Sequence, residues 1–284
     1  MTIEIKNKVG VLGLGIIGSI WAAHYHAAGL LSAAWNRTAA PRPFPAAATP
    51  VEVVRASRFV QVVVADPPAV AGLLDQILPE LTPSHVLIQS STIDPESSAD
   101  FQSKVETMGA RYLEAPFTGS KPVAEQKKVV FYLGGDRETV QLAEPVLSEI
   151  SETRFHIGGG DRAASLKLAM NLQIALIGEA LCESLAFAQS AGIPKEMFFE
   201  AMRKNAAWSG VAALKEPKLL NHDYSPQFSV KHMHKDIRLA LGSAHGAQLP
   251  VGRAVEQCFA KAAAAGLGDE DFIALMKNLE TPHP

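Results

Sequence analysis

The sequence predicts an α/β fold, with an N-terminal doubly wound sheet and a C-terminal all-helical domain joined by a long helix. Short apolar runs alternate with helix-like segments through the first half of the chain, an order typical of a sheet with helices on both faces. After the glycines at 158–160 the pattern becomes helical and contains no convincing strand. We therefore predict one domain over residues 1–160 and a second over 161–284, in keeping with a length of 284 residues.

Six short segments are predicted to be strands. Several of them are rich in β-branched residues and almost continuously apolar, as parallel strands buried on both faces are. They are Lys8–Leu12, Ala33–Trp35, Phe59–Val64, Val86–Gln89, Tyr112–Glu114 and Val129–Leu133. Gly134, Gly135 and Asp136, after the last of them, predict a turn and the N-cap of a helix. The tract Ala39–Pro50, rich in Ala and Pro, predicts a surface loop or a degenerate helix.

One long helical pattern runs from Ala163 to Ala191 and ends at Gly192 and Pro194. It is apolar around much of its circumference, more than one small domain would cover. We therefore expect it to pack against a second subunit. Four more helices are predicted beyond it, at Phe198–Lys204, Ser229–Ala244, Val251–Ala265 and Asp269–Leu279.

Composition excludes several classes of function. The net charge of −3 leaves no basic excess for nucleic acid or anionic lipid. The N-terminus has no signal-peptide pattern, so we expect a cytoplasmic protein that does not enter a membrane. Cys182 and Cys258 are too few for a disulfide framework and fit a reducing compartment. His232 and His234 point away from each other on a helix and have no carboxylate or thiol cluster beside them, so no metal site is predicted.

A glycine-rich turn follows the first predicted strand and opens a helix. Its G-x-G-x-x-G residues are Gly13, Leu14, Gly15, Ile16, Ile17 and Gly18. The glycines permit a tight turn, close approach of the backbone to a pyrophosphate and close helix–strand packing, and the helix N-terminus attracts the anion. The strand–turn–helix context favours a dinucleotide site over a glycine-rich turn without a ligand.

The end of the second predicted strand favours NADP(H) over NAD(H). An NAD site usually carries an acidic residue there to bind the ribose 2′-hydroxyl, whereas this chain has Asn36, Arg37 and Thr38. A guanidinium with an amide and a hydroxyl beside it suits a 2′-phosphate. Taken alone, Arg37 is equally consistent with a solvated surface charge, and the missing acid decides between the two interpretations.

Lys167 and Asn171 lie four residues apart on the long helix, so both side chains project from one face. The residues around Lys167 are apolar, and partial desolvation near the domain junction would favour its neutral form and prepare it for proton transfer. Asn171 would orient the ammonium or the substrate. The alternative for a helical lysine is a solvent-facing charge, and the other motifs favour the catalytic interpretation.

With these motifs in order, the chain resembles the β-hydroxyacid dehydrogenase family, close to its branch of glyoxylate and succinic semialdehyde reductases, over nearly its whole length. The matching segments are Val11–Gly18 with Asn36–Thr38, Ser91–Pro95, Glu114–Lys121, Lys167–Asn171, and Phe228 with Lys235–Ala240. The resemblance implies that Thr92 and Lys235 contact the cofactor, and that a substrate carboxylate is held by Thr118, Gly119 and Ser120. Ala65 and Asp66 replace a more apolar family sequence and are predicted to lie near the nicotinamide.

The resemblance implies an NADPH-dependent reductase that converts a small aldehyde acid to the hydroxy acid, with Lys167 as proton donor. Two alternatives stay open: an imine reductase-like NADPH enzyme, whose family generally lacks a lysine at this position, and a non-catalytic dinucleotide-binding scaffold. The sequence departs from the family in a shorter, proline-rich segment after Thr38, and in Ala163, which stands where the family has glycine.

Overall fold

The computed structural model of the protein describes residues 8–159 and 161–279 and divides the chain into two units, Met1–Lys167 and Leu168–Pro284. The first unit holds a sheet with its helices, and the described part of the second holds helices without a strand element. The division falls inside the long helix Arg162–Ser190. An α/β unit followed by a helical one is the fold class that the sequence predicts, and this prediction is confirmed.

Within residues 8–159, eight strands form one sheet. They are β1 (Val9–Leu12), β2 (Leu31–Trp35), β3 (Phe59–Val62), β4 (Val86–Gln89), β5 (Arg111–Glu114), β6 (Phe117–Thr118), β7 (Val130–Gly134) and β8 (Thr153–Gly158). Their order is β2-β1-β3-β4-β5-β7-β6, and β8 pairs with β7. Strands β1 to β5 pair in parallel, as the alternation of apolar runs and helices predicts.

The sheet differs from the expected parallel arrangement beyond β5. The predicted strand Val129–Leu133 corresponds to β7, which runs antiparallel to β5 and β6, so the expectation of a parallel strand there is wrong. Strand β8 then runs parallel to β7. Neither β6 nor β8 was predicted. β6 is only two residues long, and the side chains of β8 are exposed or half-buried, so it lacks the apolar run that identifies a buried strand.

Six helices cover the two faces of this sheet. They are α1 (Ile16–Ala27), α2 (Pro50–Arg55), α3 (Pro67–Ile77), α4 (Pro95–Thr107), α5 (Lys121–Glu125) and α6 (Arg137–Leu147). One apolar cluster joins α1, α5 and α6 to one face of the sheet, and a second joins α2, α3 and α4 to the other. Successive strand residues alternate between the two clusters, because side chains alternate across a strand.

Side-chain caps fix where several of these helices begin. Thr49, Asp66, Asp94 and Asp136 each accept the backbone N–H of the residue three positions later. The predicted turn and N-cap at Asp136 are therefore confirmed. The Ala- and Pro-rich tract is a loop that ends at the first residue of α2, with one isolated bridge between Ala34 and Ala46.

The second unit is built from α7 (Arg162–Ser190), which begins in the first unit, and from four further helices: α8 (Lys195–Met202), α9 (Gly210–Leu220), α10 (Val230–Gly242) and α11 (Pro250–Ala262). Helix α9 was not predicted, because Pro217 interrupts its apolar pattern. The segment predicted as a helix at Asp269–Leu279 contains a 3-10 helix, Phe272–Asn278. One apolar cluster holds these elements together, with Phe199, Phe259 and Met276 completely buried.

Helix α7 is the longest helix among the described residues. An 18-residue window of it has a mean hydropathy of 1.3, which by length and composition alone is enough to cross a membrane. However, 44% of that window is buried within the protein, and core helices of soluble proteins meet the same criterion. Its large exposed apolar side chains include Phe187, which is 77% exposed.

Candidate functional site

The glycine-rich turn connects β1 to α1, and two of its glycines are required by packing within the protein. Gly13 has φ = +103°, and a Cβ there would lie 2.2 Å from the carbonyl oxygen of Val63. A Cβ on Gly18 would lie 2.0 Å from the carbonyl oxygen of Gly13. Any side chain at these positions would separate α1 from the sheet.

Gly15 is different, because a Cβ there would meet no protein atom within 4 Å. It is the exposed N-cap residue of α1, with no side-chain hydrogen bond to the helix and no acidic residue in the first turn. Ile16, the next residue, is 55% exposed. The space beside the start of α1 is therefore open, as the pyrophosphate of a dinucleotide requires, and the residues present fit that group.

The residues that follow β2 hold the glycine turn in place. Asn36 Oδ1 accepts the N–H of Leu14 at 2.9 Å, and Asn36 Nδ2 donates to the carbonyl of Thr38 at 3.0 Å. The side chains of Arg37 and Thr38 are exposed. Asn36 thus has a structural task in addition to its predicted contact with the cofactor, whereas Arg37 and Thr38 are accessible to a ligand.

Sequence reasoning missed Arg42, which lies beside the same turn. Its Nη2 donates to the carbonyl of Leu14 and its Nη1 to the hydroxyl of Ser19, both at 3.1 Å. The side chain is half-buried, and no ion pair within the described residues gives it an acidic partner. The shortened, proline-rich segment after Thr38 was the signal that could have pointed to it, because that segment brings Arg42 back to the turn.

Three further predicted cofactor residues follow β3 and β4. Ala65 is exposed, and Asp66 caps α3 by accepting the N–H of Ala69 at 2.9 Å. Thr92 is half-buried just beyond β4, and the neighbouring Ser91 hydroxyl accepts the N–H of Val64 at 2.9 Å. The capping bond explains why an acid is tolerated at position 66, and cofactor contacts of these residues stay predictions.

Within the first unit, Lys167 lies beside the predicted substrate segment. Its side chain is 8% exposed, and its Nζ is 5.8 Å from the centroid of the Phe117 ring. Thr118 ends β6 and Ser120 precedes α5, both half-buried. Gly119 has φ = +142°, and a Cβ there would lie 2.9 Å from Val129 Cγ1. A buried ammonium next to a short polar segment can neutralise charge on a bound oxygen atom.

In the second unit, one buried carboxylate joins two of the predicted site residues. Asn171, 3% exposed, donates from Nδ2 to Asp236 Oδ2 at 2.5 Å. Lys235 Nζ lies 2.9 Å from Asp236 Oδ1. Asp236 lies in the matching segment Lys235–Ala240, and sequence reasoning assigned no function to it. Its position next to Lys235 was the available signal. It fixes the amide of Asn171 and offsets the charge of Lys235.

The two histidines of this region have separate partners. His232 Nδ1 lies 2.7 Å from the Ser229 hydroxyl, and its ring stacks on Phe228 with an interplanar angle of 14°. Burial lowers the pKa of His232, and the nearby lysines lower it further. His234 Nε2 lies 2.7 Å from Glu256. Across residues 8–159 and 161–279 there is no group of three His, Cys, Asp or Glu side chains that could hold a metal ion.

Comparison with known protein families accounts for both units. Residues 8–158 match the model of the NAD binding domain of 6-phosphogluconate dehydrogenase. Residues 162–279 match the model described as the NAD-binding part of NADP-dependent 3-hydroxyisobutyrate dehydrogenase. Together the two matches span nearly all of the described chain, with a gap of three residues at 159–161.

Individual relatives match over nearly the whole length of this chain. The chain is 28% identical over 281 residues to glyoxylate/succinic semialdehyde reductase 1 of Arabidopsis thaliana, covering 95% of this chain and 97% of that one. It is 29% identical to the chloroplastic reductase 2 of the same plant, covering 96% and 79%. Among solved structures, a 3-hydroxyisobutyrate dehydrogenase from Mycobacterium tuberculosis shares the fold with a TM-score of 0.86 at 24% identity, covering 97% of this chain and 99% of that one.

Proposed function

Because the chain belongs to the β-hydroxyacid dehydrogenase family and is an NAD(P)-dependent dehydrogenase or reductase, we propose that it reduces a small aldehyde acid to the hydroxy acid with NADPH. The observation that carries this proposal is the placement of Lys167, a buried ammonium next to Phe117 and the segment Thr118–Ser120. The names of the Arabidopsis relatives support an aldehyde acid of the glyoxylate or succinic semialdehyde type.

Lys167 acts in this proposal as the proton donor. The nicotinamide cofactor supplies the hydride when it is bound. Negative charge then develops on the carbonyl oxygen of the substrate, and the ammonium of Lys167 stabilises that charge and transfers a proton to the oxygen. In the oxidative direction its neutral amine accepts the proton from the hydroxy acid. Asn171 lies one turn further along α7 and orients the reacting groups, held by Asp236.

The segment Thr118–Ser120 holds the substrate carboxylate. Thr118 and Ser120 carry hydroxyl groups on half-buried residues, and the cap position of Ser120 makes no side-chain hydrogen bond to α5. Gly119 adopts a positive φ that turns the backbone between them. Two hydroxyls and the backbone suit a carboxylate better than an uncharged imine, which supports an acid as the substrate.

NADP(H) is the preferred cofactor in this proposal. Arg37 is exposed at the end of β2, and Arg42 carries a second positive charge to the same turn without an acidic partner within the described residues. Two guanidinium groups beside one dinucleotide turn favour the additional negative charge of a 2′-phosphate. Lys235, in the second unit, is proposed as a further cofactor contact.

The protein is also proposed to be a homodimer or homotetramer. Large apolar side chains of α7 and the segment that follows it are exposed: Phe187 is 77%, Met197 56% and Ile193 41% exposed. A second copy of the chain would remove them from water. Light scattering of the purified protein measures this state directly.

The test is NADPH oxidation, with NADH in parallel, against glyoxylate, succinic semialdehyde and a simple cyclic imine. We expect turnover of an aldehyde acid, a 10²- to 10⁴-fold lower kcat in Lys167→Ala and unchanged NADPH binding in that variant.

The cofactor preference is tested separately. Arg42→Ala is expected to weaken NADPH binding about tenfold more than NADH binding. Arg55→Ala is the matched control, because Arg55 is an exposed arginine paired with Glu80. Full turnover by Lys167→Ala would contradict the proposal, and turnover of the imine alone would favour an imine reductase. Tight NADPH binding without any turnover would favour a binding scaffold.

A further inference from the structure

A buried carboxylate connects the strand that leads into the substrate segment to the helix that carries Lys167. Glu114 is the last residue of β5 and is 1% exposed. Its Oε2 accepts the backbone N–H of Ala164 at 3.0 Å, in the first turn of α7. Both residues belong to the first unit.

The first turn of α7 needs such an acceptor. The N–H groups at the start of a helix have no carbonyl partner within it. In α7 the N–H of Ser165 bonds to the carbonyl of Asp161, one turn earlier. Ala163 and Ala164 are 0% and 2% exposed, so water is poorly placed to satisfy the preceding N–H groups. Glu114 supplies an acceptor to the N–H of Ala164, and the positive end of the helix favours its carboxylate.

The same stretch of chain contacts α7 a second time. Three residues after Glu114, the ring of Phe117 lies under Lys167 Nζ, with the centroid 5.8 Å away. Lys167 follows Ala164 by three residues, which is about 4.5 Å along the helix axis. The bond from Glu114 to Ala164 therefore fixes the turn from which Lys167 projects, relative to the chain that continues into Thr118–Ser120.

Glu114 offers a hydrogen-bond acceptor to α7 in either of its protonation states. Burial raises the pKa of Glu114 to about 7, opposed by the Ser98 hydroxyl and the Ala164 N–H and reinforced by Asp161. Near neutral pH the group is therefore present in both forms, and either form has an oxygen that accepts a hydrogen bond. An amide of the same length offers the same acceptor.

We propose that Glu114 is a positioning residue for the reaction, which holds Lys167 at the distance from Thr118–Ser120 that proton transfer to a bound aldehyde acid requires. This inference rests on the proposed role of Lys167. A donor must lie within hydrogen-bond reach of the atom it protonates, so a small shift of α7 lowers kcat. The glycine turn follows β1, which is three strands from β5 in the sheet, so NADPH binding is expected to change little.

Two substitutions of Glu114 separate the acceptor from the rest of the side chain. Glu114→Met keeps the length and apolar bulk but removes the oxygen that accepts the N–H of Ala164, whereas Glu114→Gln keeps an oxygen. We expect Glu114→Met to lower kcat for succinic semialdehyde reduction by about 10- to 100-fold, with the Kd of NADPH within about twofold of wild type. Hydrogen exchange in the first turn of α7 is expected to accelerate in the same variant. Glu114→Gln is expected to recover most of kcat and the protection of this turn.

Glu179→Met is the matched control. Glu179 is a carboxylate on the same helix, in the second unit, 4% exposed and with its pKa raised by burial. Its replacement measures the general effect of losing a buried carboxylate, and we expect kcat to stay at the wild-type value. If Glu114→Met does not fold, Glu114→Asp replaces it in the experiment, because its side chain is one methylene shorter. We expect Glu114→Asp to lose more kcat than Glu114→Gln.

The outcomes separate this inference from the proposed function. Wild-type kcat and exchange in Glu114→Met, together with an inactive Lys167→Ala, would overturn the role of Glu114 alone. Equal losses of kcat in Glu114→Met and Glu114→Gln would also overturn it, because the charge and not the acceptor would then matter. The same loss of kcat in Glu179→Met would overturn it as well. If Lys167→Ala itself retains full turnover, the proposed function fails first.

Discussion

The two units differ in how they hold a buried carboxylate. In the first unit, Glu114 accepts a backbone N–H, that of Ala164. In the second unit, a buried carboxylate is paired with a buried lysine. Lys215, 1% exposed, donates to both carboxylate oxygens of Asp271 at 2.7 and 3.0 Å.

The difference determines how each unit responds to substitution. A backbone donor stays where the chain places it, so another acceptor of the same length satisfies it. A buried ion pair loses its compensation when one partner is removed, because the remaining charge stays in a medium that solvates it poorly. We therefore expect the second unit to be the more sensitive to loss of a single charge.

The largest expected effect is at Lys215. Its ammonium also lies 4.4 Å from the centroid of the Phe272 ring, and burial lowers its pKa while Asp271 opposes that shift. Lys215→Met leaves the carboxylate of Asp271 buried without its counter-charge, so we expect a loss of about 3–5 kcal/mol in the free energy of unfolding. Urea denaturation measures it.

A second substitution tests whether the uncompensated charge is the cause. Asp271 also accepts the backbone N–H groups of Gln227 and Ile273. Asp271→Asn removes the charge and keeps one acceptor oxygen, which can take the N–H of Gln227. The double variant Lys215→Met/Asp271→Asn is expected to recover at least part of the stability; if the losses of the two single variants simply add, the comparison between the units fails at this point.

An intermediate effect is expected at Glu114, as a dependence of stability on pH. Burial raises the pKa of this carboxyl from 4.5 to about 7, so the folded protein holds the proton where the unfolded chain has released it. Stability therefore falls as the pH rises from about 4.5 to about 7, by up to about 3 kcal/mol. Denaturation of wild type and Glu114→Gln at several pH values isolates this contribution, because the other groups cancel in the difference. Parallel pH curves for the two proteins would contradict it.

The smallest effect is expected at a helix cap of the first unit. Asp136 accepts the N–H of Thr139 at 2.8 Å and its hydroxyl at 2.7 Å. Asp136→Ala is expected to lower the stability by about 1 kcal/mol, and Asp136→Asn by less, since the amide oxygen still accepts from the backbone. Thermal unfolding of both variants provides the measurement. If Asp136→Ala lowered the free energy of unfolding as much as Lys215→Met does, loss of a contact to the backbone would cost as much as loss of a buried counter-charge. The comparison between the two units would then fail.

The parts of the fold that could be predicted are those encoded by local sequence. The parallel strands are apolar runs, and Asp136 and Gly13 stand where a cap and a tight turn require them. The antiparallel direction of β7 could not be predicted, because an apolar run looks the same in either direction along the sheet. β8 was missed because its exposed residues carry no such run.

The residues of the candidate site also divide into those with a local sequence pattern and those without one. Lys167 and the glycine turn were identified because spacing and surroundings identify them within a few residues. Arg42, Asp236 and Glu114 were not, because each acts on a partner distant in sequence: Leu14 is 28 positions from Arg42, Asn171 is 65 from Asp236, and Ala164 is 50 from Glu114. Such pairings follow from the tertiary fold and have no local pattern.

Both backbone groups of Leu14 are bound by side chains of the segment after β2. Asn36 accepts its N–H, and Arg42 donates to its carbonyl. A change of cofactor preference in this protein consequently requires that positions 36–42 be redesigned together. Exchanging Arg37 alone for an acidic residue would leave a second guanidinium at the turn. Removing Arg42 as well would take away one donor to the Leu14 carbonyl and leave the Ser19 hydroxyl as its donor. A redesigned segment must therefore replace the donor that Arg42 supplies while it changes the charge.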